Sequence, residues 1–180
     1  MRVFEHRYSD DQDSIRVAMS FLALEARTNT IQTWTGLSGD RIRKLYRAYT
    51  AGASRLVVRR RGKSPHQIAY FWNKGRVRQE AVWLASLITL LGVIRRDDGG
   101  DRSQPFPDLK RAELLVRAYE IFRSMIPSAQ ISFEHAVFLT RLLWNGTQVR
   151  LGACTNCGGL VIVDPLSVRD SRCAQCAQSG

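Results

Sequence analysis

Apolar residues recur at helical spacing along most of this chain. Ile15, Met19, Leu22 and Ala26, widened by Phe21 and Leu24, mark one side of a first helix. Asp13 or Ser14 is suited to cap its start, with residues 1–12 as a polar lead-in. A short helix from about Asn29 to Trp34 follows, then Thr35-Gly36-Leu37, then Ser38 as the cap of a helix with Ile42, Leu45 and Tyr49 on its apolar face. Gly36 supplies the positive φ of the turn, and Leu37 plugs the angle between the two helices. Ala26, Ile31, Trp34 and Ile42 form the small core expected there. This is the pattern of a helix-turn-helix.

Further along, Ser64-Pro65 opens a helical stretch to Leu91, with Phe71 and Trp72 early and Leu84, Leu87, Ile88 and Leu91 late. Gly75 is the place for a kink or split, and Gly92 for the stop. Residues 97–107 read as a loop. Asp108 caps a helix carrying Leu114, Ala118, Ile121, Phe122 and Met125, ended by Pro127. Ser132 caps another with Val137, Phe138, Leu142 and Leu143, closed by Asn145-Gly146. Burial habits assign Trp83, Tyr119 and Trp144 to the core. His66 reads as a surface residue. His135, with no nearby nucleophile or partner ligand, reads as structural. The expected fold is mostly α: a helical bundle over residues 1–146 with the helix-turn-helix at about 26–49, and a small C-terminal four-cysteine zinc ribbon over 147–180.

That ribbon rests on spacing. The four cysteines stand as Cys154-Thr-Asn-Cys157, fifteen intervening residues, then Cys173-Ala-Gln-Cys176. Two such pairs at this separation are the sequence form of a four-thiolate zinc site, because each pair presents two sulfurs on one side of a knuckle. Gly158 and Gly159 follow the first pair, where a knuckle needs positive φ and backbone N–H groups close to sulfur. Leu160–Val163 reads as a strand and Asp164-Pro165 as a turn, so a short hairpin between the pairs brings the second knuckle opposite the first. Disulfides suit a secreted chain, and no targeting pattern opens this one. A redox pair expects a βαβ surround. A catalytic zinc keeps a position open, and four cysteines close the shell. One structural Zn2+ per chain is the expectation.

Charge adds a second signal. Lys plus Arg is 27 against 16 Asp plus Glu, a formal charge of +11. Between Arg41 and Arg78 lie twelve Lys or Arg residues and no Asp or Glu. Such a block beside a helix-turn-helix points to a polyanionic partner, nucleic acid before a membrane surface. On the second helix Arg41, Lys44 and Arg47 form a row with Arg43 beside it, off the apolar stripe and free to face a major groove. Arg59, Arg60 and Arg61 form a basic arm in the 50–63 connection. No apolar run is long enough to span a bilayer, and reduced thiols fit the cytoplasm. The nucleophile-elbow, H-E-x-x-H, Walker and Rossmann patterns are missing, and no His-x-Glu precedes the cysteines as in zinc deaminases. A binding protein is expected, not an enzyme. A zinc-ribbon interaction scaffold that reads no DNA, and a thiol oxidoreductase, stand as the rivals.

Taken together, Gly36-Leu-Ser-Gly-Asp-Arg-Ile-Arg-Lys-Leu-Tyr46, Ile68-Ala-Tyr-Phe-Trp72, Val116-Arg-Ala-Tyr-Glu-Ile-Phe122 and the Cys154-x-x-Cys157-Gly-Gly pattern with Cys173-x-x-Cys176 resemble the flagellar transcriptional regulator FlhC family. The match covers most of the length in order. The resemblance implies a mostly helical protein whose Cys154, Cys157, Cys173 and Cys176 bind zinc. It implies a heterohexamer of four D and two C chains with the partner subunit FlhD. It also implies promoter binding at flagellar operons, recruitment of RNA polymerase and activation of transcription. Two departures are visible: family members continue into a basic tail beyond the last cysteine, and their connection at 50–63 is richer in Pro and Gly. The expected consequence is a shift of phosphate contacts onto Arg55, Arg59, Arg60 and Arg61.

Overall fold

The structure is a computed structural model, and it describes residues 2–52, 62–72, 75–94, 106–166 and 171–178. The protein is mostly helical. Its described elements are α1 (Arg2–Ala23), α2 (Thr28–Thr35), α3 (Gly39–Gly52), a 3-10 turn (Ile68–Phe71), α4 (Gly75–Leu90), α5 (Leu109–Met125), α6 (Phe133–Asn145), β1 (Arg150–Ala153), β2 (Leu160–Val163) and α7 (Ala174–Gln178). They fall into two compact units, residues 1–64 with 101–116 and residues 65–100 with 117–180.

In the first unit α1 begins at Arg2, not at Asp13 or Ser14. The physical reason is that no Gly or Pro occurs before Gly36, so nothing interrupts the helix upstream of those two residues. Asp13 instead pairs with Arg16 one turn on, at 3.0 Å. Past Ala23 the chain reverses through Glu25, a non-glycine residue at φ 58°. The Glu25 N–H donates to Leu22 O and the Ala26 N–H to Phe21 O, at 2.9 Å each, closing the helix end. Then come α2, the turn Gly36-Leu37-Ser38, and α3. Gly36 sits at φ 70° and its N–H donates to Gln32 O at 2.9 Å. The Ser38 hydroxyl accepts from Arg41 N at 3.4 Å. Ala26, Ile31, Trp34, Leu37 and Ile42 are all buried, as the pattern requires. Trp34 lies between Phe21 and Phe106, ring centres 6.0 and 5.4 Å away.

Gly36 has open space where a Cβ would stand, so its only requirement is conformational. Gly36→Ala is therefore expected to lower stability by about 1–2 kcal/mol, the penalty for an L-residue in the left-handed region. Thermal melting checks this, and an unchanged midpoint contradicts it.

In the second unit Ser64-Pro65 does not start a helix. The segment stays open until a single 3-10 turn anchored by buried Phe71, and the α-helix starts only at Gly75. The expected break at Gly75 is thus a full split. Val77, Ala81, Leu84, Ala85 and Ile88 form the buried stripe of α4. Trp83 lies off that stripe and is 43% exposed, against the expectation of a core residue. On α5 the buried positions include Ala118, Tyr119 and Phe122, while Ile121 and Met125 turn outward. Asp108 and Ser132 cap α5 and α6 as read, accepting from Arg111 N at 2.9 Å and His135 N at 3.4 Å. Gly92 and Gly146 end α4 and α6 with positive φ.

The loop between α5 and α6 is held by a buried carboxylate. Glu80, only 3% exposed, accepts from Gln130 N at 2.8 Å, Ile131 N at 3.3 Å and Arg76 Nε at 3.0 Å. Arg76 also donates to Ser128 O at 2.7 Å, and the Tyr70 and Tyr119 hydroxyls donate to Gln130 O and Ile131 O at 3.0 Å each. Burial, then the Glu80 charge, raise the Tyr70 hydroxyl above its ordinary pKa. His135 stacks on Tyr70 with ring centres 4.0 Å apart and meets the Ser132 hydroxyl at 2.7 Å, a packing role.

Candidate metal centre and basic helix face

β1 and β2 pair antiparallel, with Leu151 opposite Ile162 and Gly152 opposite Val161. Val149, Val161 and Ile162 are buried, anchoring this hairpin in the second unit. A Cβ on Gly152 would come within 3.1 Å of Val163 Cγ1, so any larger residue there requires the Val163 side chain to shift by a few tenths of an ångström. The Cys154–Cys157 turn is the tip of this hairpin. Its backbone is tied by Cys154 N to Gly159 O at 2.7 Å and Gly158 N to Cys154 O at 2.9 Å, with Gly158 at φ 71°. The hairpin therefore encloses the first cysteine pair; it does not lie between the pairs as expected. The second pair is not a knuckle on a strand either. Cys173 precedes α7 and Cys176 lies within it. Thr155 N donates to Ser171 O at 3.0 Å, which ties the approach to this helical turn to the hairpin, and Arg78 of α4 donates to Arg172 O at 2.8 Å.

The result is a four-sulfur cluster. The Sγ atoms of Cys154, Cys157, Cys173 and Cys176 all lie within 4.8 Å of one another, and none is in a disulfide. Zn–S bonds of about 2.3 Å in a tetrahedron put neighbouring sulfurs about 3.8 Å apart. The Cys157–Cys173 separation is 3.8 Å. Cys154 is buried and Cys157 exposed, so the cluster has an inner and an outer side.

Backbone N–H groups already point at sulfur. Cys173 N donates to Cys154 Sγ and Cys176 N to Cys173 Sγ, at 3.3 Å each. The N–H of Cys173, helped by those of Cys157 and Asn156, draws the Cys154 thiol down to about 6. The Cys176 N–H lowers that of Cys173. At Cys176 the Asn156 side chain lowers the pKa, but the neighbouring sulfurs of Cys173 and Cys157 outweigh it and push the thiol up to about 11. Four thiolates this close do not coexist without a positive charge among them. The donor set fits a thiophilic dication, with a closed shell that leaves no position for water or substrate.

The basic residues are dispersed. Arg41, Arg43, Lys44 and Arg47 are all exposed on α3. Arg41 makes a two-pronged ion pair with Asp11 of α1, at 2.5 Å for each N–O contact. That bond holds the Asp11 carboxyl below its usual range and raises Arg41. Arg43 pairs with Asp40 one turn back. Lys44 and Arg47 have no ion pair among the described residues. Arg43 and Arg47 also border a cleft of about 100 Å3 floored by Leu22, Ala26 and Ile42. Arg59, Arg60 and Arg61 lie outside the described residues, as does Arg55. Asp11 was not legible as a site residue, since no local pattern links it to a helix thirty residues on. No helix among the described residues is long and apolar enough to cross a membrane.

The chain matches no protein-family model and no curated protein sequence.

Proposed function

We propose that this protein is the DNA-binding C-type subunit of a transcriptional activator of flagellar operons. It assembles with an FlhD-type partner into a heterohexamer of four D and two C chains and helps recruit RNA polymerase in the cytoplasm. The observation that carries the reading is α3, capped after a three-residue turn, with Lys44 and Arg47 exposed and unpaired among the described residues. The acid-free basic block from Arg41 to Arg78 and the ordered FlhC-like segments support it. Lys44 and Arg47, with Arg41 and Arg43, meet phosphates and base edges, and Arg59, Arg60 and Arg61 add phosphate contacts. Zn2+, one per chain, is the ion that the four thiolates hold. Its contribution is to fix the hairpin to α7, and no reaction passes through it.

Binding of the full chain with its partner subunit to a flagellar promoter duplex tests this. If about six phosphates are neutralised, log K falls with log salt at a slope of about −5. Replacing Lys44 and Arg47 together with Ala reduces that slope by about 2. Affinity that does not change between low and moderate salt contradicts the proposal. The scaffold reading draws on one observation, the exposed Trp83 and Leu90, 43% and 80%, on α4. It requires a Lys44→Glu, Arg47→Glu variant to keep every partner and every function.

A further inference from the structure

The four cations of α3 are not equivalent. Arg41 leaves the first turn of that helix, where recognition helices reach base edges. Yet its guanidinium is engaged: both terminal nitrogens donate to Asp11, one to each carboxylate oxygen, at 2.5 Å. The two side chains are 44% and 42% exposed, so an incoming ligand can reach the pair. Arg43 is paired within its own helix, and Lys44 and Arg47 meet no carboxylate among the described residues. Among the described residues only Arg41 of the four is held by an acid from another helix, in a fork-to-fork geometry.

A carboxylate offers a guanidinium two acceptors side by side. Guanine offers the same layout in the major groove through O6 and N7, whereas adenine pairs an acceptor with a donor, and thymine presents one oxygen and a methyl group. We propose that Asp11 is a specificity-determining residue: its carboxylate occupies the Arg41 fork, and among base edges only the O6 and N7 of guanine offer the paired acceptors that can take its place. This rests on reading α3 as a nucleic-acid helix, and it names what that helix selects. Against a sequence without guanine, no base edge replaces Asp11 on Arg41, and binding rests on contacts to phosphate, which every sequence offers alike. Against guanine, one two-pronged bond replaces another, and the base is recognised. Discrimination arises because the unsuitable partner must break a bond it cannot replace.

The test uses the full chain with its partner subunit and two duplex polymers, poly(dG-dC) and poly(dA-dT), at one fixed low salt concentration. The wild type should prefer the G·C polymer. Asp11→Asn frees Arg41 for any phosphate. It should raise affinity for the A·T polymer by about 1.5- to fivefold, the range of an exposed ion pair, and for the G·C polymer by less. The G·C preference therefore shrinks. Arg41→Lys keeps the charge but loses the fork, and should abolish the preference. Adding Asp11→Asn to it should change the ratio no further. Exposed pairs contribute little to stability, so these variants should melt close to the wild type. Equal wild-type affinity for the two polymers overturns the proposal. So does an unaltered ratio in Asp11→Asn, or a wild-type ratio in Arg41→Lys. Failure of the nucleic-acid reading itself looks different: the wild type then binds neither polymer, and both ideas fall together.

Discussion

Removing the proposed Zn2+, or replacing buried Cys154 with Ser, is expected to unfold the segment from β1 through α7. β1 and β2 are four residues each and α7 is five. A two-stranded hairpin and a single helical turn are marginal in water without a further tie. Buried Val149, Val161 and Ile162 supply part of that tie and the sulfur cluster the rest, and a structural zinc contributes about 10–16 kcal/mol to such a site at neutral pH. Metal binding must also release protons. The Cys176 thiol, held up to about 11 in the metal-free protein, is protonated at neutral pH and must ionise to bind. The Cys154 thiol, at about 6, is already mostly a thiolate there. A group that loses its proton on binding makes affinity rise with pH up to its metal-free pKa, so affinity should climb from neutral pH into the alkaline range. Calorimetric zinc titration in buffers of different ionisation enthalpy reads the proton release directly. Hydrogen exchange over residues 150–178 reads the unfolding. Protection there that survives a strong chelator contradicts a metal-held fold.

The second large effect is expected at Glu80. Its carboxylate is buried and accepts from two backbone N–H groups of the α5–α6 loop and from Arg76. Glu80→Ala removes the shared acceptor and leaves those donors facing one another without one. Breaking a buried charged hydrogen-bond network by deleting one partner costs about 3–5 kcal/mol. Glu80→Gln retains the shape and one acceptor oxygen, but its NH2 group must face a donor, so its loss should be intermediate. Urea unfolding of both variants checks the order. Equal stability of wild type and Glu80→Ala would mean that the loop is held without Glu80, by the Arg76–Ser128, Tyr70, Tyr119 and Arg123 bonds.

What could be read from the sequence was local. The α2–α3 turn was visible because Gly36, Leu37 and Ser38 each do one job within a few residues. The caps at Asp108 and Ser132 and the stops at Gly92 and Gly146 follow from the same short-range chemistry. The cysteine cluster was visible because ligand spacing constrains sulfur positions directly. The start of α1 was misplaced for the complementary reason: Asp13 and Ser14 favour a helix start but do not forbid a helix that is already running. Trp83 was assigned by the habits of its residue type, whereas α4 buries the stripe through Ala81, Leu84 and Ile88 and leaves it outside. β1 was missed because Gly152 looks like a loop residue, though on the strand it leaves room for the Val163 side chain. The pairing of Arg41 with Asp11 has no short-range signature at all; it exists only once α1 and α3 are packed.

The most direct measurement is native mass spectrometry of the full chain at neutral pH, purified without added metal. One zinc ion per polypeptide, with all four thiol protons displaced, is the expected species. A metal-free chain lighter by two hydrogens, with Cys154 joined to Cys157, would contradict the four-thiolate centre and favour thiol redox chemistry in its place.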